Sequence, residues 1–158
     1  MRSVLSVLLL AMLSACGFQL QGRQMLPSTL SVLRIDAVDE QSEFANALRV
    51  ALGVSGGRVA GADDRNAAQV RIASDELSER VLSVSSRNIP TDYELTYKVE
   101  VSVSSGGQEL MAREEFSLSR VYSFDETKLL AKEREKQVLK EALARDMASV
   151  VTRRLASL

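Results

Sequence analysis

The stretch YELTYKVEVSV, residues 93–103, alternates apolar and polar side chains without a break. In an extended strand, successive side chains point to opposite faces, so one face of this segment is apolar and the other is polar. The apolar face carries Tyr93, Leu95, Tyr97, Val99, Val101 and Val103. This pattern predicts a long strand of an antiparallel sheet that covers the core with one face.

A second alternating stretch, LMAREEFSLSRVY (residues 110–122), follows the glycine pair Gly106-Gly107. Two glycines between alternating stretches are typical of the two-residue turn of a β-hairpin. The hairpin would pair Val103 with Leu110, Val101 with Ala112, Tyr97 with Phe116, and Leu95 with Leu118. Because the apolar faces coincide in this register and separate after a slip of one residue, we expect this register.

A short helix is predicted before the hairpin, in the stretch DEQSEFANALRVALGVSGG. Either Asp39 or Ser42 can cap its start, and Gly53 can end it. The apolar residues at helical spacing are Phe44, Leu48, Ala51 and Leu52. This face should pack on the sheet.

A long helix is predicted from about Asp125 to Leu155, with Ser123 and Glu126 as a candidate capping box. Its apolar stripe consists of Leu139, Ala142, Leu143, Met147 and Val150. Extended backward by helical geometry, the same face reaches Lys132, Glu135 and Lys136. The charged half of this helix is either a solvated face or a surface for a charged partner.

Two less regular segments complete the predicted sheet. LSVLRIDAV (residues 30–38) is apolar on both sides and predicts a short covered strand. Residues 70–73 and 81–84 alternate, and predict either one bent strand or two short ones.

The N-terminal segment is typical of a bacterial lipoprotein signal peptide. The apolar run Val4–Leu13 is shorter than the roughly 20 residues that span a bilayer. It leads into LSAC, which resembles the lipobox that precedes a lipidated cysteine. We therefore expect residues 1–15 to be removed and Cys16, the only cysteine, to carry acyl chains at the mature N-terminus. The alternative is a buried N-terminal helix.

The composition excludes several classes of function. The chain has 158 residues, no histidine and a net charge of -1, which leaves no general field to attract nucleic acid. Without histidine it lacks the usual general base and the commonest metal ligand. Ser55 lies in GVSGG, a pattern found in serine hydrolases, but a predicted helix precedes it where the hydrolase motif needs a strand. No enzyme activity, metal or cofactor is predicted.

Several motifs occur in a recognisable order: the lipobox, then CGFQLQG, PSTL, YEL, RVYSFD and LLAKERE. Together they resemble the LptE (RlpB) family of lipopolysaccharide-assembly lipoproteins over nearly the whole chain. The resemblance implies an α+β fold, with two helices packed on one face of a mostly antiparallel sheet of about four strands. It implies one domain, residues 16–158, with a lipidated tether at residues 16–29. Gly17 after the cysteine implies sorting to the outer membrane, on its periplasmic side.

The resemblance also implies partners and a site. It implies a plug inside the LptD β-barrel that assists barrel assembly and binds lipopolysaccharide on its way to the cell surface. The implied lipopolysaccharide contacts are a basic residue before YEL and the lysine of LAK, which are Arg87 and Lys132 here. Lys136, on the same helix face, is a third candidate. The alternatives are a scaffold lipoprotein of another outer-membrane assembly complex and an envelope enzyme.

Overall fold

The structure, a computed structural model, describes residues 25–61, 64, 66–124 and 129–158. Its helices and strands are β1 (Val32–Ala37), α1 (Glu43–Val54), β2 (Arg58–Val59), β3 (Ala68–Val84), β4 (Pro90–Ser105), β5 (Gln108–Ser123) and α2 (Leu129–Ala156). The predicted signal peptide, Cys16 and the predicted tether as far as residue 24 lie outside the described residues.

The described strands form one sheet in the order β2-β1-β3-β4-β5. The long neighbours β3, β4 and β5 pair antiparallel, whereas β1 runs parallel to β2 and β3. The α+β class with two helices on a mostly antiparallel sheet is therefore confirmed. The sheet has five described strands where about four were expected, and one of them is the two-residue β2. The third strand is continuous, with register shifts after Ile72 and after Val81, so the single bent strand is the correct alternative.

The turn between β4 and β5 is the predicted one. Gly106 and Gly107 have φ angles of 58° and 82°, and the flanking residues Ser105 and Gln108 are partners. A two-residue turn with both φ angles positive suits the twist of a hairpin, and glycine adopts it without strain.

The predicted hairpin register is wrong beyond the first pairs after this turn. The observed pairs are Val103 with Met111, Val101 with Glu114, Val99 with Phe116, Tyr97 with Leu118, Leu95 with Arg120, and Tyr93 with Tyr122. Irregularities on both sides of Val103 add residues to β5, so Met111 enters the core and Ala112 is exposed. The accumulated shift is an even number of residues, so Phe116 and Leu118 stay on the core side.

The core lies between this face of the sheet and the two helices. From α1 it takes Phe44, Ala45, Leu48 and Leu52, and from α2 it takes Leu143, Ala144, Met147, Ala148, Val151 and Leu155. The predicted stripe of α2 is slightly rotated, since Val151 is buried and Val150 is only half-buried. The reason is that α2 packs against α1 as well as against the sheet, which widens its buried face.

The helix ends confirm one of the two proposed caps. The backbone N–H of Ala45 donates to Ser42 Oγ at 3.1 Å, while Asp39 accepts from the N–H of Gln41 outside the helix. Helix α1 continues one residue past the predicted Gly53. For α2, the predicted start at Asp125 and the capping residue Glu126 lie outside the described residues.

Candidate functional site

Arg87 lies in the turn that connects β3 to β4, at what is called here the turn end of the sheet (the end at residues 85–89). The turn is closed by Ser85 N–H donating to Ile89 O at 2.8 Å and Asn88 N–H donating to Ser85 O at 2.9 Å. Asn88 has a positive φ of 57°, which this residue type tolerates. The side chain of Arg87 is exposed, and no carboxylate among the described residues pairs with it. Its guanidinium is therefore available to a ligand.

The direction of α2 brings the predicted lysines toward the same end. Late in the helix, Arg154 Nε donates to Glu114 Oε2 at 3.0 Å, in the half of β5 nearer the glycine turn. Early in the helix, Lys136 pairs with Glu79, which lies further along β3 toward the turn end. The first turns of α2, with Lys132, therefore point toward the turn end. The structure places Arg87, Lys132 and Lys136 in this one half of the molecule.

Glu79 joins the helix to the sheet. Its carboxylate forms an ion pair with Lys136 and accepts a hydrogen bond from the Tyr122 hydroxyl at 2.8 Å. Partial burial raises the pKa of Glu79, but the hydrogen bonds from Lys136 and Tyr122 and the charge of Lys140 outweigh it and lower the pKa. Burial and the bond to this carboxylate raise the pKa of Tyr122. Glu79 is thus ionised at neutral pH.

Lys132 is also paired, but within its own helix. Its Nζ lies 2.7 Å from Glu135 Oε2, three residues further on. The Lys132 side chain is only 18% exposed, more buried than a residue on a solvated face, and its carboxylate partner is 46% exposed. These values fit a lysine whose aliphatic stem lies along the protein surface while its ammonium contacts a carboxylate.

Aromatic and hydroxyl side chains fix the ends of the strands beside these cations. The ring of Tyr93 stacks on Tyr122 at 5.6 Å between centroids and meets the edge of Phe124 at 5.7 Å. Asp92 accepts hydrogen bonds from Ser83 and, at 2.9 Å, from Ser123. These bonds, that of Ser83 first, lower the pKa of Asp92. These contacts hold β3, β4 and β5 together at the turn end.

Sequence reasoning missed Glu79 and the Tyr93–Tyr122 pair. The signal for Glu79 was present: it alternates with Leu77 and Val81, so an acidic residue lies on the core side of β3. Such a residue needs a cation, and the helix that covers this face carries lysines. The tyrosine pair was hidden by the wrong register, in which Tyr122 does not lie opposite Tyr93.

The pairing of Glu79 predicts a specific pH dependence. Because the pKa of Glu79 is lowered below 4.5 by folding, its ionised form stabilises the fold above pH 4.5, and this contribution is lost as the pH falls through the lower folded pKa. We expect Glu79→Gln to be less stable than wild type at pH 7, by about 1 kcal/mol or less. The difference should shrink toward pH 3. Urea unfolding at both pH values measures it, and a difference independent of pH would contradict the assignment.

Two absences concern the described part of the chain alone. None of its helices is long and apolar enough to cross a membrane. Within the same residues, no group of three or more aspartate, glutamate or cysteine side chains is arranged to hold a metal ion.

Comparison with known families decides the identity of the chain. The family model described as "LptE: Lipopolysaccharide-assembly" matches residues 30–155. The chain belongs to the LptE family. The LptE resemblance read from the short motifs is therefore confirmed, although no curated protein sequence matches the chain.

Solved structures of three lipoproteins share the fold. The rare lipoprotein B of Shewanella oneidensis is 26% identical, with a TM-score of 0.70 over 80% of this chain and 94% of that one. Lipoprotein B of Nitrosomonas europaea is 24% identical, with a TM-score of 0.73 over 89% of this chain and 91% of that one. A minor lipoprotein of Acinetobacter baumannii is 17% identical, with a TM-score of 0.71 over 83% of this chain and 94% of that one.

Membership of the LptE family settles the class of function. The family consists of outer-membrane-associated lipoproteins of lipopolysaccharide assembly, and its members are not enzymes. The prediction of a non-enzymatic protein is confirmed by this membership, and the alternative of an envelope enzyme is excluded.

Proposed function

We propose that the chain binds lipopolysaccharide and acts as plug and assembly partner of the LptD β-barrel during lipopolysaccharide transport to the cell surface. In this proposal it is anchored to the periplasmic side of the outer membrane through acyl chains on Cys16. The LptE family membership supports the pathway. Three parts of the proposal go beyond family membership: the binding site, the barrel partner and the lipid anchor.

The observation that carries the binding proposal is the gathering of Arg87, Lys132 and Lys136 toward the turn end. Lipopolysaccharide is anionic, and removal of residues 1–15 takes away one arginine and no acid, which leaves a net charge of -2. An acidic protein needs local cations to hold such a ligand, and arginine and lysine bind phosphate well. Exposed Arg87 would make the first contact, and the two lysines would follow.

A polar sheet face supports the proposal of a barrel partner. The face of β4 opposite the core carries Lys98 and Glu100, which pair with Glu115 at 4.0 Å and with Arg113 at 3.4 Å on β5. The lumen of an outer-membrane barrel is polar, unlike its lipid-facing outside. A plug whose charged sheet face lies opposite the two described helices suits such a lumen.

Co-purification tests the partnership. The affinity-tagged native protein, extracted from outer membranes in mild detergent, should retain an LptD-type barrel through gel filtration in equal amounts. Purification with a different envelope complex and no barrel would favour the alternative of a scaffold lipoprotein of another assembly.

Replacing Cys16 should block maturation. A lipobox cysteine is both the lipid acceptor and the first mature residue, so wild-type protein should begin at an acylated Cys16 and lack residues 1–15. We expect Cys16→Ala to retain residues 1–15 and carry no lipid. Mass spectrometry of the intact proteins from the native host distinguishes the two forms, and an unmodified wild-type chain that begins at Met1 would refute the assignment.

A further inference from the structure

We propose that Glu79 and Glu135 are specificity-determining residues of the lipopolysaccharide site. In the ligand-free protein, Glu79 forms an ion pair with Lys136, and Glu135 forms one with Lys132. The phosphate groups of the ligand must take the place of these carboxylates. This inference rests on the proposed function and deepens it, because it names the chemical group that the lysines select.

Both lysines of the site are held by carboxylates. Glu135 Oε2 lies 2.7 Å from Lys132 Nζ, and Glu79 forms an ion pair with Lys136. The Glu135 side chain is more than twice as exposed as that of Lys132, so an anion in solution reaches it more readily. An incoming anion therefore meets Glu135 before it meets Lys132.

The second carboxylate is less free to leave. Glu79 accepts the hydrogen bond of Tyr122, a residue that is only 6% exposed, and so stays fixed to the sheet. The Lys136 side chain, one-quarter exposed, is the mobile partner and can turn to a ligand. Since Glu79 remains ionised nearby, Lys136 turns only to an anion that attracts it more strongly.

These two ion pairs set a threshold for ligands. A singly charged group that replaces a carboxylate gains little, because one ion pair is exchanged for another. A phosphate group carries more charge than a carboxylate and offers more acceptor oxygens, so it gains on each exchange. The site should therefore select lipids with several phosphates. The guanidinium of Arg87, which pairs with no carboxylate among the described residues, adds a further phosphate contact.

Charge-neutral variants of the two carboxylates test the inference. Glu135→Gln should bind intact lipopolysaccharide about two- to fivefold more tightly than wild type, the range expected for removal of one exposed ion pair. The affinity for the same lipopolysaccharide after phosphatase treatment should rise as well, because the freed lysine then gains an ion pair even with a singly charged group. Glu79→Gln should behave alike, because glutamine still accepts the Tyr122 hydrogen bond. Titration of the detergent-solubilised mature protein with the two lipids measures both affinities.

Glu141→Gln is the matched control. Glu141 lies on the same helix, 3.9 Å from Arg145, and lines the groove toward α1 rather than the sheet. The Glu141→Gln variant removes the same charge as Glu135→Gln. An equal gain in lipopolysaccharide affinity would therefore mean a general effect of net charge and would overturn the inference. In Glu135→Gln with Lys132→Gln the gain should vanish, which a merely structural role of Glu135 would not produce.

The outcomes separate this inference from the proposed function. If Lys132→Gln leaves binding of intact lipopolysaccharide unchanged, the proposed site itself is wrong. If Lys132→Gln weakens binding while Glu135→Gln does not strengthen it, the site stands and the inference is wrong. A thermal melt of each variant shows whether it is folded. If Glu79→Gln does not fold, the affinity of Glu135→Gln decides the inference.

Discussion

Phe44→Ala should lower the free energy of unfolding by about 3–5 kcal/mol, the range for truncation of a phenylalanine in a closed core. The Phe44 side chain is fully buried, and its ring lies 6.4 Å from the ring of Tyr97 on β4. The substitution leaves a cavity between α1 and the sheet, where helices and strands on all sides restrict collapse. Urea unfolding followed by circular dichroism measures the loss.

Phe116→Ala is the matched control, since it removes the same atoms from β5. Phe116 is only half-buried at the edge of the core, so its ring already contacts solvent. We expect a loss below that of Phe44→Ala. Equal losses in the two variants would show that the core is centred nearer β5 than the structure places it.

Replacing Arg87 and Lys132 together by glutamine should weaken lipopolysaccharide binding by about tenfold or more. Each cation can form a charge-assisted hydrogen bond to phosphate, and two such contacts at partly exposed positions give an effect of this order. Glutamine is shorter than lysine and arginine but remains polar and uncharged, and Arg87 lies in an exposed turn, so the fold should be retained. Titration with intact lipopolysaccharide measures the effect, with a thermal melt beside it.

The charge-matched control is Lys98→Gln with Arg113→Gln. Both residues form ion pairs on the face of the sheet opposite the described helices. The control removes the same two positive charges and should leave binding within about twofold of wild type. Equal weakening by both double variants would reduce the site to an effect of net charge.

Much of the fold was predictable because its signals are local. The alternation from Tyr93 to Val103, the glycine turn and the apolar spacing of α1 each specify a structure within a few residues. The register of β5 was not predictable, because Leu110, Met111 and Ala112 are three consecutive apolar residues. Any of them can face the core, and the bulge that selects Met111 depends on packing beneath it.

The candidate site was predictable in part. Lys132 and Lys136 were found from the change of the α2 face from apolar to charged, whereas Arg87 came from a family resemblance and had no signal of its own. Of the carboxylates that hold the lysines, Glu135 lies three positions after Lys132 in the same helix, whereas Glu79 depends on how the helix lies on the sheet. Lys136 meets Glu79 across a large separation in the chain, which periodicity does not reveal.

The contact between the two helices has a consequence for the order of folding. Gln137 Nε2 donates to Glu43 Oε1 at 3.0 Å across 94 positions of the chain, whereas the β3–β4 and β4–β5 ladders join sequence neighbours through short turns. Closing a short loop costs less chain entropy than closing a long one, so the three-stranded meander should form first and the helices should dock late. In that order, helix-core variants such as Phe44→Ala speed unfolding and leave the folding rate nearly unchanged.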